Sequence, residues 1–309
     1  MVNLPPDAAT RMIRCERATV ERSGRVVVES LSLAVGHGQA AALIGRTGAG
    51  KSSLLAAVAT ALPLHAGEIL VDDRSVRGEP AAVRRTIGYV PDRMPAWPGL
   101  RVGEFLEAFA AAAGLRGERL AGSVRRGLDL AGLAAVVRTP LDALAAGQRK
   151  RLLVAGALVH EPEVLLLDDP FGGLDPFERL DMARLIGDTH LMGRTVLAAI
   201  DDADVPACFT HLIVLAEGRL VASGPATPDG IAAGRTWRCA LVCRGAAEAA
   251  ARAVAGHGGE IRVEDGDRLT FTVDSRRTSL GAVAATAAQA GIAVESAGFE
   301  PPWPAQLIA

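Results

Sequence analysis

Residues 40–53 read Ala40-Ala41-Ala42-Leu43-Ile44-Gly45-Arg46-Thr47-Gly48-Ala49-Gly50-Lys51-Ser52-Ser53. An apolar run leads into a glycine-punctuated turn, and an Ala/Leu-rich stretch, 53–62, follows. That order predicts strand, glycine loop, helix, and the turn fits G-x-x-x-x-G-K-[ST] at Gly45, Gly50, Lys51 and Ser52. The glycines let backbone N–H groups converge on a polyphosphate, and the new helix adds the positive end of its dipole. Lys51 is placed to reach β- and γ-phosphates, and the Ser52 hydroxyl to take a Mg²⁺ site. Gly45, Arg46, Thr47, Gly48, Ala49, Gly50, Lys51, Ser52 and Ser53 are the expected nucleotide-binding residues.

Composition supports this reading independently. Of 33 Lys+Arg, only Lys51 and Lys150 are lysine. A planar guanidinium cannot replace a compact ammonium in a tight phosphate loop, so this Arg-biased chain keeps a lysine where the chemistry demands one. With 35 Asp+Glu the formal charge is −2, and the pI near 6.3 argues against a general nucleic-acid binder. No apolar run approaches the roughly 18 residues of a membrane span. The start has no apolar core of a signal peptide, so a cytoplasmic location is expected. Cys15, Cys208, Cys239 and Cys243 are scattered and suit a reducing compartment. The six histidines are read as structural, with no ligand cluster among them.

The 309 residues suit one large domain or two ordinary ones. Short strands are expected over 12–20, 25–28, 31–35, 66–71 and 86–90, helices over 100–114, 116–137 and 149–160, and strands again over 195–200, 211–216 and 219–222. A Gly/Pro/Thr cluster predicts a linker at 226–235. Beyond it the pattern is β-α-β-β-α-β, which suggests a small ferredoxin-like sandwich over 236–309. The expected fold class is α/β: a P-loop core with an antiparallel β subdomain, a helical subdomain over about 93–160 and the C-terminal α+β domain. The first domain would cover 1–225.

A second nucleotide element is Val164-Leu165-Leu166-Leu167-Asp168-Asp169. It is an apolar strand closed by acids, and Asp168 is expected to hold Mg²⁺. Here the chain resembles the nucleotide-binding subunits of ABC transporters over about residues 12–225. Gly45–Ser53 is similar to their Walker A and Val164–Asp169 to their Walker B. Thr86-Ile87-Gly88-Tyr89-Val90-Pro91-Asp92 looks like the approach to the Q-loop. Leu144-Ala145-Ala146-Gly147-Gln148 looks like the signature, and Gly172-Gly173-Leu174-Asp175 like the D-loop. The C-terminal segment resembles the extension on drug-, antibiotic- and haem-exporter-type subunits. The resemblance implies ATP and Mg²⁺ as cofactors. It implies a head-to-tail pair with ATP between one subunit's Walker motifs and the other's signature. It also implies contact with integral membrane subunits near 92–98, where Met94 and Trp97 would suit a partner groove, unless Trp97 simply packs under the loop. The chain would then lie on the inner face of the membrane, held by those subunits and not by lipid.

The departures are specific. The family has Glu after the Walker B Asp; here Asp169 sets the carboxylate roughly 1.5 Å back, and a displacement on the order of 1 Å can cost about 10²-fold in rate. The switch histidine position is Asp201, whose carboxylate would repel a γ-phosphate about 4 Å away by roughly 1–4 kcal/mol. Ala145 and Ala146 replace Ser and Gly of the signature, which removes a hydroxyl; Gly147 and Gln148 are expected to keep their backbone donors. Asp92 stands at the Q-loop glutamine and joins Ser52 and Asp168 as a metal candidate. The adenine-stacking aromatic is replaced by Arg22 or Ser23. Arg22 either stacks through its guanidinium plane or is a plain surface residue.

Two accounts follow. In one, the chain binds Mg·ATP, hydrolyses it weakly and works beside a second, more standard ATP-binding subunit. In the other it homodimerises, and both sites carry every defect. The expected function is the energy-coupling ATP-binding subunit of an export-type transporter, with a non-hydrolysing structural or regulatory subunit as the alternative. A soluble ATPase acting on ribosome or DNA fits less well, because no tandem cassette or basic face is present.

Overall fold

The computed structural model describes residues 11–92, 97–201, 205–226, 236–257, 260–264, 266–274 and 280–299. Two compact units divide between Val221 and Ala222.

The first unit begins with an antiparallel sheet. Strands β1 (Arg11–Arg22) and β2 (Arg25–Gly36) are joined by a two-residue turn in which Ser23 and Gly24 both have positive φ. That turn matches the right-handed twist of a hairpin. β4 (Leu64–Val71) and β5 (Arg74–Ser75) complete it in the order β2-β1-β4-β5. The pattern of three short strands over 12–35 is corrected to two long ones. Register shifts around Cys15 and Ala18, with Arg17 and Ser30 at positive φ, are bulges that break the alternation without ending the pairing.

The second sheet is the scaffold of the site. Its strands are β3 (Ala40–Ile44), β6 (Ile87–Val90), β7 (Val164–Asp168), β8 (Thr195–Ile200), β9 (His211–Ala216) and β10 (Arg219–Pro225), in the order β10-β9-β3-β8-β7-β6. β3 runs parallel to β8 and β9, and β7 runs parallel to β6 and β8. Every residue of β3, β7 and β8 is buried. A parallel sheet covered on both faces demands such unbroken apolar strands. The register sets Ile44 opposite Ile200 and Asp168 opposite Ala199. The phosphate loop, Asp168–Asp169 and Asp201 therefore leave the sheet at one carboxyl edge, the place where open α/β sheets bind ligands.

Helix α1 (Lys51–Val58) follows the loop and packs into the core formed with both sheets. A short helix, α2 (Pro80–Thr86), was not expected from the pattern; Pro80 opens it with a preset φ. Helices α3 (Val102–Ala112), α4 (Gly117–Leu130) and α5 (Ala146–Leu158) share a separate core around Val102, Phe105, Leu106, Leu128 and Leu152. α4 stops at Leu130 and does not run to 137, because Gly132 takes a left-handed φ of 64° and ends it. Helix α6 (Pro176–Leu191) flanks β8.

The second unit carries β11 (Thr236–Val242), α7 (Ala247–Val254), β12 (Ile261–Val263), β13 (Arg268–Asp274), α8 (Leu280–Gln289) and β14 (Ser296–Phe299). Its antiparallel sheet runs β12-β13-β11-β14. This is the split β-α-β arrangement with two helices. Cys239, Leu241, Cys243, Leu269 and Phe271 form its interior with Val254 and Val283. The linker expected at 226–235 lies, apart from Ala226, outside the described residues. Among the described residues no helix is long and apolar enough to cross a membrane.

Candidate nucleotide-binding site

The loop is held open by glycine. At Gly50, with φ of 98°, a Cβ would come within 2.5 Å of the Val27 carbonyl oxygen. Any other residue would push β2 away from the start of α1. Ala49 N–H closes the turn onto Arg46 O at 3.0 Å. Arg46, Thr47 and Gly48 are exposed along its rim, and Ser53 is buried behind it.

Lys51 is only 4% exposed, and its ammonium is fully engaged. Nζ donates to Gly45 O at 2.7 Å and Arg46 O at 3.0 Å, and it pairs with Asp201 Oδ1 at 2.8 Å. The sequence placed Asp201 against a phosphate. In the structure Asp201 is the partner of the phosphate-loop lysine itself.

Ser52 Oγ donates to Asp168 Oδ1 at 2.9 Å, joining the first turn of α1 to the end of β7. The Asp92 backbone N–H also donates to the Asp168 carboxylate. Burial raises the Asp168 pKa above its ordinary value, Ser52 pulls it back, and the Asp92 charge raises it again. A hydroxyl and two carboxylates are hard oxygen donors suited to Mg²⁺. Ser52 and Asp168, with Asp92 adjoining, would hold that ion; when bound it neutralises phosphate charge.

Asp169 has φ of 48°, the left-handed region that Asp tolerates better than most residues. Its carboxylate accepts from Gly172 N–H, and a Cβ on Gly172 would overlap Asp169 Oδ2 at 1.7 Å. Burial raises its pKa, Lys150 lowers it, and Asp201 and Asp92 raise it further. Lys150 was missed as a site residue. It sits on α5 and donates to the Asp169 backbone oxygen. Burial lowers its pKa while Asp169, Asp92 and Asp168 push it back up. The available signal was compositional: it is the chain's second lysine.

A cleft of about 490 Å³ beside α1 is lined by Arg22, Ser52, Ala56, Leu62, Tyr89 and Asp92. Arg22 thus borders the space next to the phosphate loop. Tyr89 is pushed up to about 12, chiefly by burial and then by Asp168.

The signature segment opens α5. Leu144 is buried in the helical core, and Ala145 is the N-cap with no side-chain oxygen. Gln148 Oε1 accepts from Ala145 N–H at 3.1 Å. Gly147 N–H does not stand open as a donor. It donates to Glu178 Oε1 at 2.9 Å. Glu178 also accepts from Asp175 N–H at 3.2 Å, while Asp175 Oδ1 accepts from Phe177 and Glu178 N–H, so Asp175 caps α6. Ala146 starts α5 and is exposed.

Residues 93–96 of the expected membrane-subunit contact lie outside the described residues. Trp97 lies inward, against Phe105 at 5.0 Å and Phe109 at 6.0 Å between ring centroids. One histidine departs from the structural reading: His37, Asp72 and Glu163 bring ligand atoms within 4.8 Å of one another. His37 precedes β3 and Glu163 precedes β7, opposite the nucleotide edge, while Asp72 follows β4 and already pairs with Arg74 at 3.2 Å.

The ABC transporter family profile matches residues 28–172. The iron(3+)-hydroxamate import ATP-binding protein FhuC of Bacillus subtilis is 31% identical over 69% of this chain and 84% of its own length. The chain belongs to the ATP-binding subunits of ABC transporters. Another relative is the Fe(3+) ions import ATP-binding protein FbpC of Streptomyces coelicolor, 32% identical over 72% of this chain and 63% of its own length. The probable multidrug ABC transporter ATP-binding protein YbhF of Escherichia coli is 28% identical over 72% of this chain, which spans only 38% of YbhF. Among solved structures, cbiO1 from Clostridium perfringens, part of the transporter complex cbiONQ, superposes with a TM-score of 0.64. It is 28% identical and covers 70% of this subunit and 89% of cbiO1. The subunit therefore has the α/β fold of ABC ATPase cassettes, and its relatives include proteins named for iron import and one named for multidrug transport.

Proposed function

We propose that this subunit binds Mg·ATP, hydrolyses it weakly by itself, and couples it to an export-type transporter beside a second, more competent ATP-binding subunit. The ion pair between Lys51 and Asp201 carries this reading. The ammonium that should draw on the terminal phosphate is engaged by the chain's own carboxylate. Asp169 adds to it. Its carboxylate is short and turned to Gly172 N–H, a poor position for activating water. Ser52, Asp168 and Lys51 still suit binding. Binding by the loop with weak chemistry favours a mixed pair, because a pump needs one competent site. A homodimer would carry both defects twice.

Export as the direction draws support from the split β-α-β unit after residue 236 and from the likeness to YbhF. FbpC and FhuC, named as importers, weigh the other way. The subunit would sit on the inner membrane face through integral membrane subunits docked near 92–98. Arg22 would border the adenine end of the site. The ordered two-domain division is read as an ATP-binding domain over 1–225 and a C-terminal α+β domain over 236–309.

Copurification of the native complex, with identification of each subunit, tests the pairing. A second ATP-binding chain with Glu after its Walker B Asp is expected. Recovery of this chain as the complex's sole ATP-binding subunit would contradict the mixed pair. A structural subunit that never hydrolyses is the second reading, favoured by the same ion pair. Measurable single-turnover hydrolysis in the assembled complex, lost on Asp169→Asn, would set it aside.

A further inference from the structure

Three turns at the amino end of the parallel sheet bring an imidazole and two carboxylates together. His37 lies between β2 and β3, Asp72 between β4 and β5, and Glu163 immediately before β7. One ligand atom from each lies within 4.8 Å of the other two. The backbones beneath them are fixed by the sheets. Thr195, fully buried at the start of β8, donates its N–H to Glu163 O at 2.9 Å, and its hydroxyl accepts from Gly38 N–H at 2.9 Å. One residue thus holds the His37 turn beside the Glu163 turn. Glu163 N–H donates to Thr86 O at 3.0 Å, and Asp72 N–H to Met12 O at 2.9 Å. Only the exposed His37 and Glu163 side chains and the half-buried Asp72 need to turn. Among the described residues, no side-chain hydrogen bond or ion pair commits His37 or Glu163 elsewhere. Asp72 Oδ2 pairs with Arg74. A carboxylate has a second oxygen to offer, and a solvent-exposed pair of this kind is weak.

We propose that His37, Asp72 and Glu163 bind one divalent transition-metal ion, with Zn²⁺ as the best-suited occupant. Two surface carboxylates alone would single out no metal. The imidazole changes the chemistry. One nitrogen and two oxygens suit Zn²⁺ and its first-row neighbours, whereas Mg²⁺ and Ca²⁺ prefer oxygen throughout. The two carboxylates balance the charge of a dication. Zn²⁺ takes nitrogen and oxygen ligands at roughly 2.0–2.2 Å and accepts three protein ligands with water in a fourth place. The three side chains reach that spacing by rotating inward on turns that stay put. The bound ion would tie the turns after β2 and β4 to the entry of β7, and so join the antiparallel sheet to the parallel one. It would sit at the opposite end of the strands from Lys51 and Asp168, so it stands or falls independently of the nucleotide reading.

The test is titration of Zn²⁺ into the full chain in competition with a chromophoric zinc indicator. Wild type is compared with His37→Ala, Glu163→Gln and a control, His65→Ala, whose imidazole belongs to a separate pair with Glu21 at 3.4 Å. Wild type should bind one equivalent. His37→Ala and Glu163→Gln should each weaken it by at least the roughly 10–100-fold that a change behind the ligands costs a metal site. His65→Ala should match wild type, and excess Mg²⁺ should leave the Zn²⁺ bound. Zn²⁺ should raise the melting temperature of wild type but not of His37→Ala, because an ion held only by the folded chain stabilises it. Without metal, both ligand variants should melt with wild type, since their side chains are exposed; if one does not, the other carries the test. Absence of Zn²⁺ binding, equal binding by all four chains, equal weakening by the control, or displacement by Mg²⁺ at equal concentration overturns the proposal.

Discussion

Asp169 shows how local forces oppose one another at one residue. Burial holds its proton, and Lys150 and Gly172 N–H favour the anion. Its folded pKa is raised, so the folded chain binds the proton more tightly than the unfolded chain. The associated stability is present below the ordinary carboxylate value and is lost as pH rises through the raised one. At neutral pH the buried charge is therefore a cost. Asp169→Asn keeps an acceptor for Gly172 and suits the positive φ. It should raise stability at pH 7.5 by up to about 1 kcal/mol, a few degrees at most in Tm. The gain should shrink as pH falls toward 4, as followed by thermal denaturation across pH. A constant gain at all pH values would mean that charge is not the cause. Lys51 was legible because a fixed spacing encodes its role. Its pairing with Asp201 was not, because 150 residues separate them and only the β3–β8 register brings them together. Lys150 was visible as a compositional oddity, but its partner depended on where α5 ends up.

At the level of elements, the parallel strands were readable because double burial leaves an unmistakable apolar run. The long first hairpin was not, because its bulges hide the alternation. Glu178 marks another limit. It ties the start of α5 to the start of α6 by accepting from Gly147 N–H and Asp175 N–H. Nothing in the local pattern announces a contact 31 residues away. Glu178→Ala should cost about 1 kcal/mol, the scale of a lost helix cap, in urea denaturation. Glu178→Gln, which keeps an acceptor, should cost less. Gly147→Ala places a Cβ 2.6 Å from Glu178 Oε1, so its cost should fall when Glu178 is already Ala, a coupling that a double-mutant cycle reads. In the helical core, Trp97 joins Phe105 and Phe109 in one aromatic cluster. Trp97→Ala should destabilise the chain by about 2–4 kcal/mol, at or below the usual range for deleting a large core aromatic because Trp97 is only partly buried.

For the whole molecule, the central proposal is that the sheet edge holds a nucleotide and cuts it poorly. Holding predicts linkage. Mg·ADP at a hundred times its Kd should stabilise the subunit by about 2.7 kcal/mol, and Lys51→Ala should abolish the gain in a thermal shift assay. The family and the fold class were legible from motif order, since the Walker motifs and the Q-loop approach sit at strand ends and the signature and D-loop at helix starts. The proposed weakness of the site was legible only as substituted positions, among them Asp169, Asp201 and Ala145. The structure adds contacts that the substitutions alone do not show: an ammonium engaged by Asp201, a carboxylate turned to Gly172 and the retained Gly147 amide occupied by Glu178.

The most direct measurement is single-turnover hydrolysis of Mg·ATP by excess purified chain, with nucleotide binding followed in the same samples. Saturable binding that depends on Lys51, with cleavage near the uncatalysed background, is the result this account predicts. Rapid cleavage by the chain alone, abolished by Asp169→Asn with binding intact, would contradict it.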